Sequence, residues 1–230
     1  MADWKAMKLA EVRKHATFSH RKAHGSRPDV LHIEIEGDEA VLKDYTYSDT
    51  WFTRLIAPLL VIREVRSLKK LEGVPGVPRL YHVFSRHAFL VEPIKGIAAN
   101  QMPKDQLNNE FFERMNKVLD DIHGKGVTHC DLRSAGNTLI TEDHQPWLVD
   151  FVASIHQSSK WNFIGRWIFD QFVEADYGAV LKLKKRLAPD CLTKEETEKL
   201  EHPRSAVERI GRKIGRSVRF VTRNLFPSKH

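Results

Sequence analysis

Within residues 129–151, HCDLRSAGNTLITEDHQPWLVDF, an Asp stands two residues after a His and an Asn six residues beyond that Asp. An apolar run in the same stretch ends in Asp-Phe. The chemistry these residue types suit at this spacing is phosphoryl transfer. One carboxylate, Asp131, can orient an attacking hydroxyl and accept its proton. The amide oxygen of Asn137 and the carboxylate of Asp150 can hold the magnesium ion that neutralises phosphates. Magnesium favours hard oxygen ligands and usually takes only one or two protein carboxylates, so one Asp with one Asn is enough.

Such groups need elements to hold them. Residues 30–36 (VLHIEIE) and 39–45 (EAVLKDY) alternate like strands around a Gly37-Asp38 turn. Pro58 suits the first turn of a helix that runs to a stop at Gly73, with Leu60, Val61, Leu68 and Leu71 as its apolar stripe. Glu64 lies on that stripe, and a carboxylate facing a core needs a partner. Residues 80–84 and 87–92 read as two more strands, and Pro93 and Gly96 then mark a break. Residues 105–123 keep a helical period through Phe111, Phe112, Met115, Val118, Leu119 and Ile122. Short strands at 138–141 and 147–150 follow the Asn, and residues 163–187 and 193–225 read as helical. The expected organisation is 1–96, 97–203 and a basic amphipathic helix at 204–230.

The 230 residues, 41% hydrophobic and 29% charged, are ordinary for a soluble globular chain with a sizeable core. No apolar run has membrane-span length, and the N-terminus lacks a signal-peptide core. Cys130 and Cys191 are too few for a disulfide framework, so a cytoplasmic location is expected. The net charge of +7 sits in residues 204–230, where eight Lys and Arg face Glu208 alone. There Val207, Ile210, Ile214, Val218, Val221 and Leu225 form one apolar stripe flanked by arginines.

The order of these parts resembles the protein-kinase-like superfamily: strand with Lys, helix with Glu, hinge, helix, H-x-D loop, Asn, Asp-Phe. The chain looks like a small bacterial atypical kinase, closer to RIO-type and lipopolysaccharide-core sugar kinases than to eukaryotic protein kinases. The resemblance implies an α+β, bilobal fold with a small β-rich N-lobe and a reduced helical C-lobe. It implies ATP and Mg2+ as cofactors. It also implies that Lys43 binds the α- and β-phosphates and that Glu64 orients Lys43. Val91 would line the adenine pocket, and the backbone of Glu92 and Ile94 would bond the adenine edge. His129 would brace the loop, Asp131 would act as base, Arg133 would neutralise the transferring group, and Asn137 and Asp150 would hold the metal. Three departures from the pattern stand out. Ser134-Ala135-Gly136 must absorb one extra residue, with Gly136 the position free to take unusual dihedrals. No glycine-rich loop precedes Lys43, so Ser19 or Gly25-Ser26 is expected to cover the phosphates. Val152 follows Asp-Phe where a regulated kinase has Gly, and no A-P-E segment follows it.

Cys130 reads as a packing residue, since nothing around it in sequence would stabilise a thiolate. His15, His20, His24, His82, His87, His144 and His156 show no metal-ligand spacing and read as surface or loop residues. Trp161, Phe163, Trp167 and Phe169 are expected in the core, a membrane-facing patch being the other reading. The tail reads as a docked helix, as an anchor on anionic lipid, or, third in order, as an RNA-binding segment. The function expected is a kinase acting on a hydroxyl of a lipid-linked sugar at the inner face of the membrane. The alternatives are a RIO-like protein serine/threonine kinase and a pseudokinase scaffold.

Overall fold

The computed structural model describes residues 3–201 other than His24, Ser26 and Lys160, with backbone alone at Thr50 and Phe52. Five antiparallel strands form one sheet in the order β1-β2-β3-β5-β4. They are β1 (Ala16–Arg21), β2 (Asp29–Ile35), β3 (Asp38–Asp44), β4 (Leu80–Ser85) and β5 (Ala88–Val91). Side chains alternate across the pleat. Ala40 and Leu42 of β3 therefore join Leu31, Ile33 and Leu90 under Trp4 and Val12 on one face. Lys43 falls on the other face, paired in register with Phe89. The turn between β2 and β3 is Glu36-Gly37, one residue earlier than expected, and both residues are left-handed (φ 52° and 84°). That conformation matches the twist of a two-residue hairpin. The polar edge strand β1 is an addition to the sequence pattern, because most of it is exposed and no alternation marks it.

The helix α1 (Leu9–Val12) precedes the sheet, and α2 (Thr50–Leu55) and α3 (Ala57–Lys70) follow β3. Segment 46–57, which shows no period, thus contains a short helix. α3 buries Ala57, Val61, Glu64, Ser67 and Leu68 along one face. Phe89 and Val91 of the sheet, this face of α3, and the apolar faces of the later helices form one continuous core. Gly96 opens β6 (Gly96–Ala98), where an added Cβ would lie 2.7 Å from the Ile140 carbonyl oxygen. Only glycine allows this approach, and it lets β6 pair with the strand that follows Asn137.

α4 (Asn109–Gly124) begins later than the expected residue 105, because the Asn108 side chain caps it by accepting from the Phe111 N–H at 3.1 Å. β7 (Val127–Thr128), β8 (Thr138–Thr141), β9 (Pro146–Leu148) and β10 (Ile155–His156) frame the loop segments. α5 (Phe163–Leu187) and α6 (Lys194–Glu201) complete the described chain. α5 has the span expected for it, but its two halves differ. Ala179, Val180, Leu183 and Leu187 are buried, whereas Trp161, Phe163 and Trp167 are 88%, 74% and 54% exposed. The expectation of four core aromatics holds for Phe169 alone. The exposed aromatics lie just before α5 and in its first two turns, so apolar type alone does not bury them. Of the predicted helix 193–225, only Lys194–Glu201 falls among the described residues; the apolar stripe from Val207 to Leu225 lies outside them. No helix among the described residues is long and apolar enough to cross a membrane.

Candidate active site

Lys43 projects from β3 towards α3, and its ammonium lies 2.5 Å from Glu64 Oε1 and 3.9 Å from Asp150 Oδ1. The 21 residues between Lys43 and Glu64 fold as a strand, a short helix and a helix that packs back on the strand. Glu64 is 1% exposed and thus has the partner that its place on the stripe demanded. Burial pulls the Lys43 pKa down, but Glu64 and Asp150 outweigh it, and the ammonium stays charged. Lys43 in turn holds the Asp150 carboxyl below its ordinary value.

His129 is fully buried. Its Nε2 donates to the Val149 carbonyl at 3.0 Å, and its Nδ1 accepts from the Asp131 N–H at 3.4 Å. These bonds fix a neutral ring, and burial lowers its pKa accordingly. The ring also tilts against Phe151 with centroids 4.7 Å apart, tying the loop to the Asp-Phe segment. Asp176 of α5 completes the brace. Its carboxylate accepts from the His129 N–H at 2.7 Å, the Cys130 N–H at 2.9 Å and His123 Nε2 at 3.1 Å. Cys130 and Asp150 are both left-handed, at φ 66° and 70°. Non-glycine residues hold this strained conformation only where the surroundings over-determine it. Cys130 is no nucleophile: burial pushes its thiol up to about 12.

Asn137 ends a 3-10 turn, Ala135–Asn137. Gly136 is not left-handed, contrary to the expectation placed on it. The Asn137 Nδ2 donates to the Asp131 carbonyl at 3.0 Å and to Asp131 Oδ2 at 3.1 Å. Its amide oxygen therefore points away from Asp131 and is the end offered to a cation. Asp131 opens to solvent, yet partial desolvation lifts its carboxyl pKa against the pull of Asn137 and His129. Arg133 is exposed, and its charge reaches Asp131 without a contact.

Val91 is buried opposite Val41 of β3 and Leu80 of β4. The Glu92 N–H already donates to the Arg79 carbonyl at 2.8 Å, so only the Glu92 carbonyl remains for a ligand. Ile94 is half-buried in the connection to β6. Asp131 and Asp150 line one cleft of about 220 Å³ together with Arg21, Arg27, Pro28, Tyr45, Leu60, Val152 and Ala153. Ser19 is not in that lining, and Ser26 lies outside the described residues. The cations lining the cleft are instead Arg27 and Arg21, the latter at the end of a strand the sequence pattern did not reveal. Arg21 Nε is buried without a partner among the described residues. Asp176 was also missed, although a signal existed. It shares a helical stripe with Ala179, Val180 and Leu183, as Glu64 does on α3.

Among the described residues no group of three or more His, Cys, Asp or Glu could cage a metal. The donor set offered is one amide oxygen and one carboxylate kept ionised, which suits magnesium shared with phosphates. Of the histidines expected on the surface or in loops, His20 is exposed on β1, whereas His82 and His156 are half-buried on strands.

A family model described as the RIO domain matches residues 35–164, more than half of the chain. No curated protein matches it in sequence. Among solved structures, it is similar to the Rio2 kinase of Chaetomium thermophilum in its ADP/Mg2+-phosphoaspartate complex. The TM-score is 0.59 at 17% identity, covering 79% of this chain and 59% of that one. A second structure of the Rio2 kinase from Chaetomium thermophilum gives a TM-score of 0.58 at 18% identity, with 76% and 59% covered. The chain thus spans about three-fifths of the length of the kinases it resembles. The likeness shows a kinase-like α+β fold, with an antiparallel sheet followed by a helical part.

Proposed function

The chain belongs to the RIO domain family, and from that membership and the site geometry we propose an ATP- and Mg2+-dependent kinase with a hydroxyl acceptor. The observation that carries this reading is that Lys43, paired with Glu64, also reaches Asp150, which lines one cleft with Asp131. Lys43, held by Glu64, would bind the α- and β-phosphates. Arg21 and Arg27 would cover the phosphates in place of a glycine-rich loop. Asn137 and Asp150 would hold magnesium, which when bound supplies charge neutralisation of the phosphates. Asp131 would orient the acceptor hydroxyl and take its proton, a role helped by its raised pKa. Val91 and the carbonyl of Glu92, with Ile94, would border the adenine, and Arg133 would face the transferring group.

For the acceptor we favour a lipid-linked sugar at an anionic membrane surface. Exposed Trp161, Phe163, Ile164 and Trp167 support it as an apolar face of the kind that enters lipid interfaces. The cationic segment 204–230 would add electrostatic attraction. The second reading, a RIO-like protein kinase with RNA or an acidic partner on that segment, is favoured by the family itself. In the Rio2 complex an aspartate is the phosphorylated group, and the same outcome on this chain would fall to Asp131 or Asp150. Incubation of the full chain with labelled ATP, vesicles bearing lipid-linked sugar and lysate protein separates these. Label extracted with lipid supports the first acceptor. Label on lysate proteins, or a hydroxylamine-labile label on the chain, moves the assignment to the second. No label from any source, with Asp131→Ala indistinguishable in cells, would make the chain a pseudokinase scaffold.

A further inference from the structure

A second cleft, of about 260 Å³, lies further along the segment that follows Phe151, and is lined by Arg63, Arg66, Ser154, Ile155 and His156. It shares no lining residue with the cleft of Asp131 and Asp150. Arg63 donates to the carbonyls of Ala153 (3.2 Å) and Ser154 (2.8 Å), fixing the segment against α3. The Ser67 hydroxyl donates to the Arg63 carbonyl at 3.0 Å, and so accepts from His156 Nε2 at 2.8 Å. Lys70, one turn from Arg66, donates to the Gly126 carbonyl at 3.0 Å. Carbonyls and hydroxyls thus fix the geometry, but no carboxylate neutralises the charge. None lines the cleft, and among the described residues none pairs with Arg63, Arg66, Lys70 or His156. Besides burial, the groups that depress the His156 pKa are Lys70, Arg66 and Arg63, all cations.

The other side of α3 shows the contrast. There one lysine faces two carboxylates, whereas here Arg63 and Arg66 line one concave surface that no carboxylate lines. Like charges gathered on one small surface repel, and an anion bound there relieves them. We infer that this cleft is a phosphate-oxyanion site, filled by orthophosphate or by the terminal phosphate of a small monoester. The Arg66 guanidinium, with the Arg63 donors that the two carbonyls leave free, suits the tetrahedral oxygens, and arginine carries the planar donor pairs such anions favour. The inference stands independently of the kinase reading, because no residue assigned to the transfer lines this cleft.

The test is calorimetric titration of the full chain with orthophosphate, and separately with O-phosphoserine, against chloride at constant ionic strength. Arg66→Ala and Arg21→Ala/Arg27→Ala are titrated beside the wild type. Arg66→Ala is expected to weaken orthophosphate binding about tenfold or more. Arg66→Lys should restore part of it, and the Arg21/Arg27 variant should retain this binding. Binding of both ligands assigns a monoester site, and binding of orthophosphate alone assigns a free-anion site. Undiminished binding by Arg66→Ala, loss only in the Arg21/Arg27 variant, or no binding by the wild type overturns the inference. Should Arg66→Ala not fold, phenylglyoxal modification of Arg66 in the wild type gives a readout without substitution. Orthophosphate should slow that modification, and an unchanged rate would overturn the site.

Discussion

The loop at 129–137 and the strand end at 148–153 each bring one aspartate to the same cleft, and their surroundings treat the two carboxyls oppositely. Asp150 stands 3.9 Å from the Lys43 ammonium, which lowers its pKa. Among the described residues Asp131 has no cation in contact, and desolvation raises its pKa. When two like groups are pushed apart in this way, their environments suit them to different roles. The one kept ionised suits a metal, and the one moved towards neutrality suits a proton. The difference comes from what packs behind each loop. α3 and β3 deliver an ion pair behind Asp150, whereas Asp131 rests on neutral His129 and the amide of Asn137.

The largest effect should come from removing the ionised member. Asp150→Asn leaves the Lys43–Glu64 pair intact and is expected to lower kcat/KM about 100- to 1000-fold, measured with labelled ATP across magnesium concentrations. Unchanged activity would remove Asp150 from the metal and end the contrast. Next is the pair that sets it. Glu64→Ala leaves the buried Lys43 ammonium with only the longer contact to Asp150, so unfolding in urea should show a loss of about 3 kcal/mol. A loss no larger than that of a surface ion pair would mean that the pair adds little to the fold.

The smallest effect sharpens the comparison from the Asp131 side. Asp131 must be ionised to accept a proton, so the rate should fall as pH drops through its raised pKa, while Asp150, held low, remains charged over that range. Asn137→Ala removes the hydrogen bond that pulls the Asp131 pKa down, so the acidic limb should move to higher pH. A limb that stays in place or moves down would put the proton acceptor elsewhere.

Much of the site was legible because its parts are local. His129, Asp131, Asn137, Asp150 and Phe151 fall within 23 residues, and the helix before them keeps its period from Phe111 to Ile122. Glu64 was legible as a carboxylate on an apolar stripe, a place that demands a partner. Asp176 sends the same signal on α5. It passed unread because its partners are backbone N–H groups at His129 and Cys130, which no side-chain pattern marks. The exposure of Trp161, Phe163 and Trp167 was not legible either, since periodicity gives a face of a helix and says nothing of what covers it.

The sequence by itself determined the chemistry on offer and the order of the main strands and helices from β2 to α5, through residue type, spacing and period. Only the tertiary structure decided which charges meet. It placed Arg21 and Arg27 over the cleft, set Asp176 behind the loop, and gave Asp131 and Asp150 opposite shifts. The reason is physical. Covalent neighbours fix local geometry, but desolvation and Coulomb interaction depend on distances across the fold, between segments far apart in the chain.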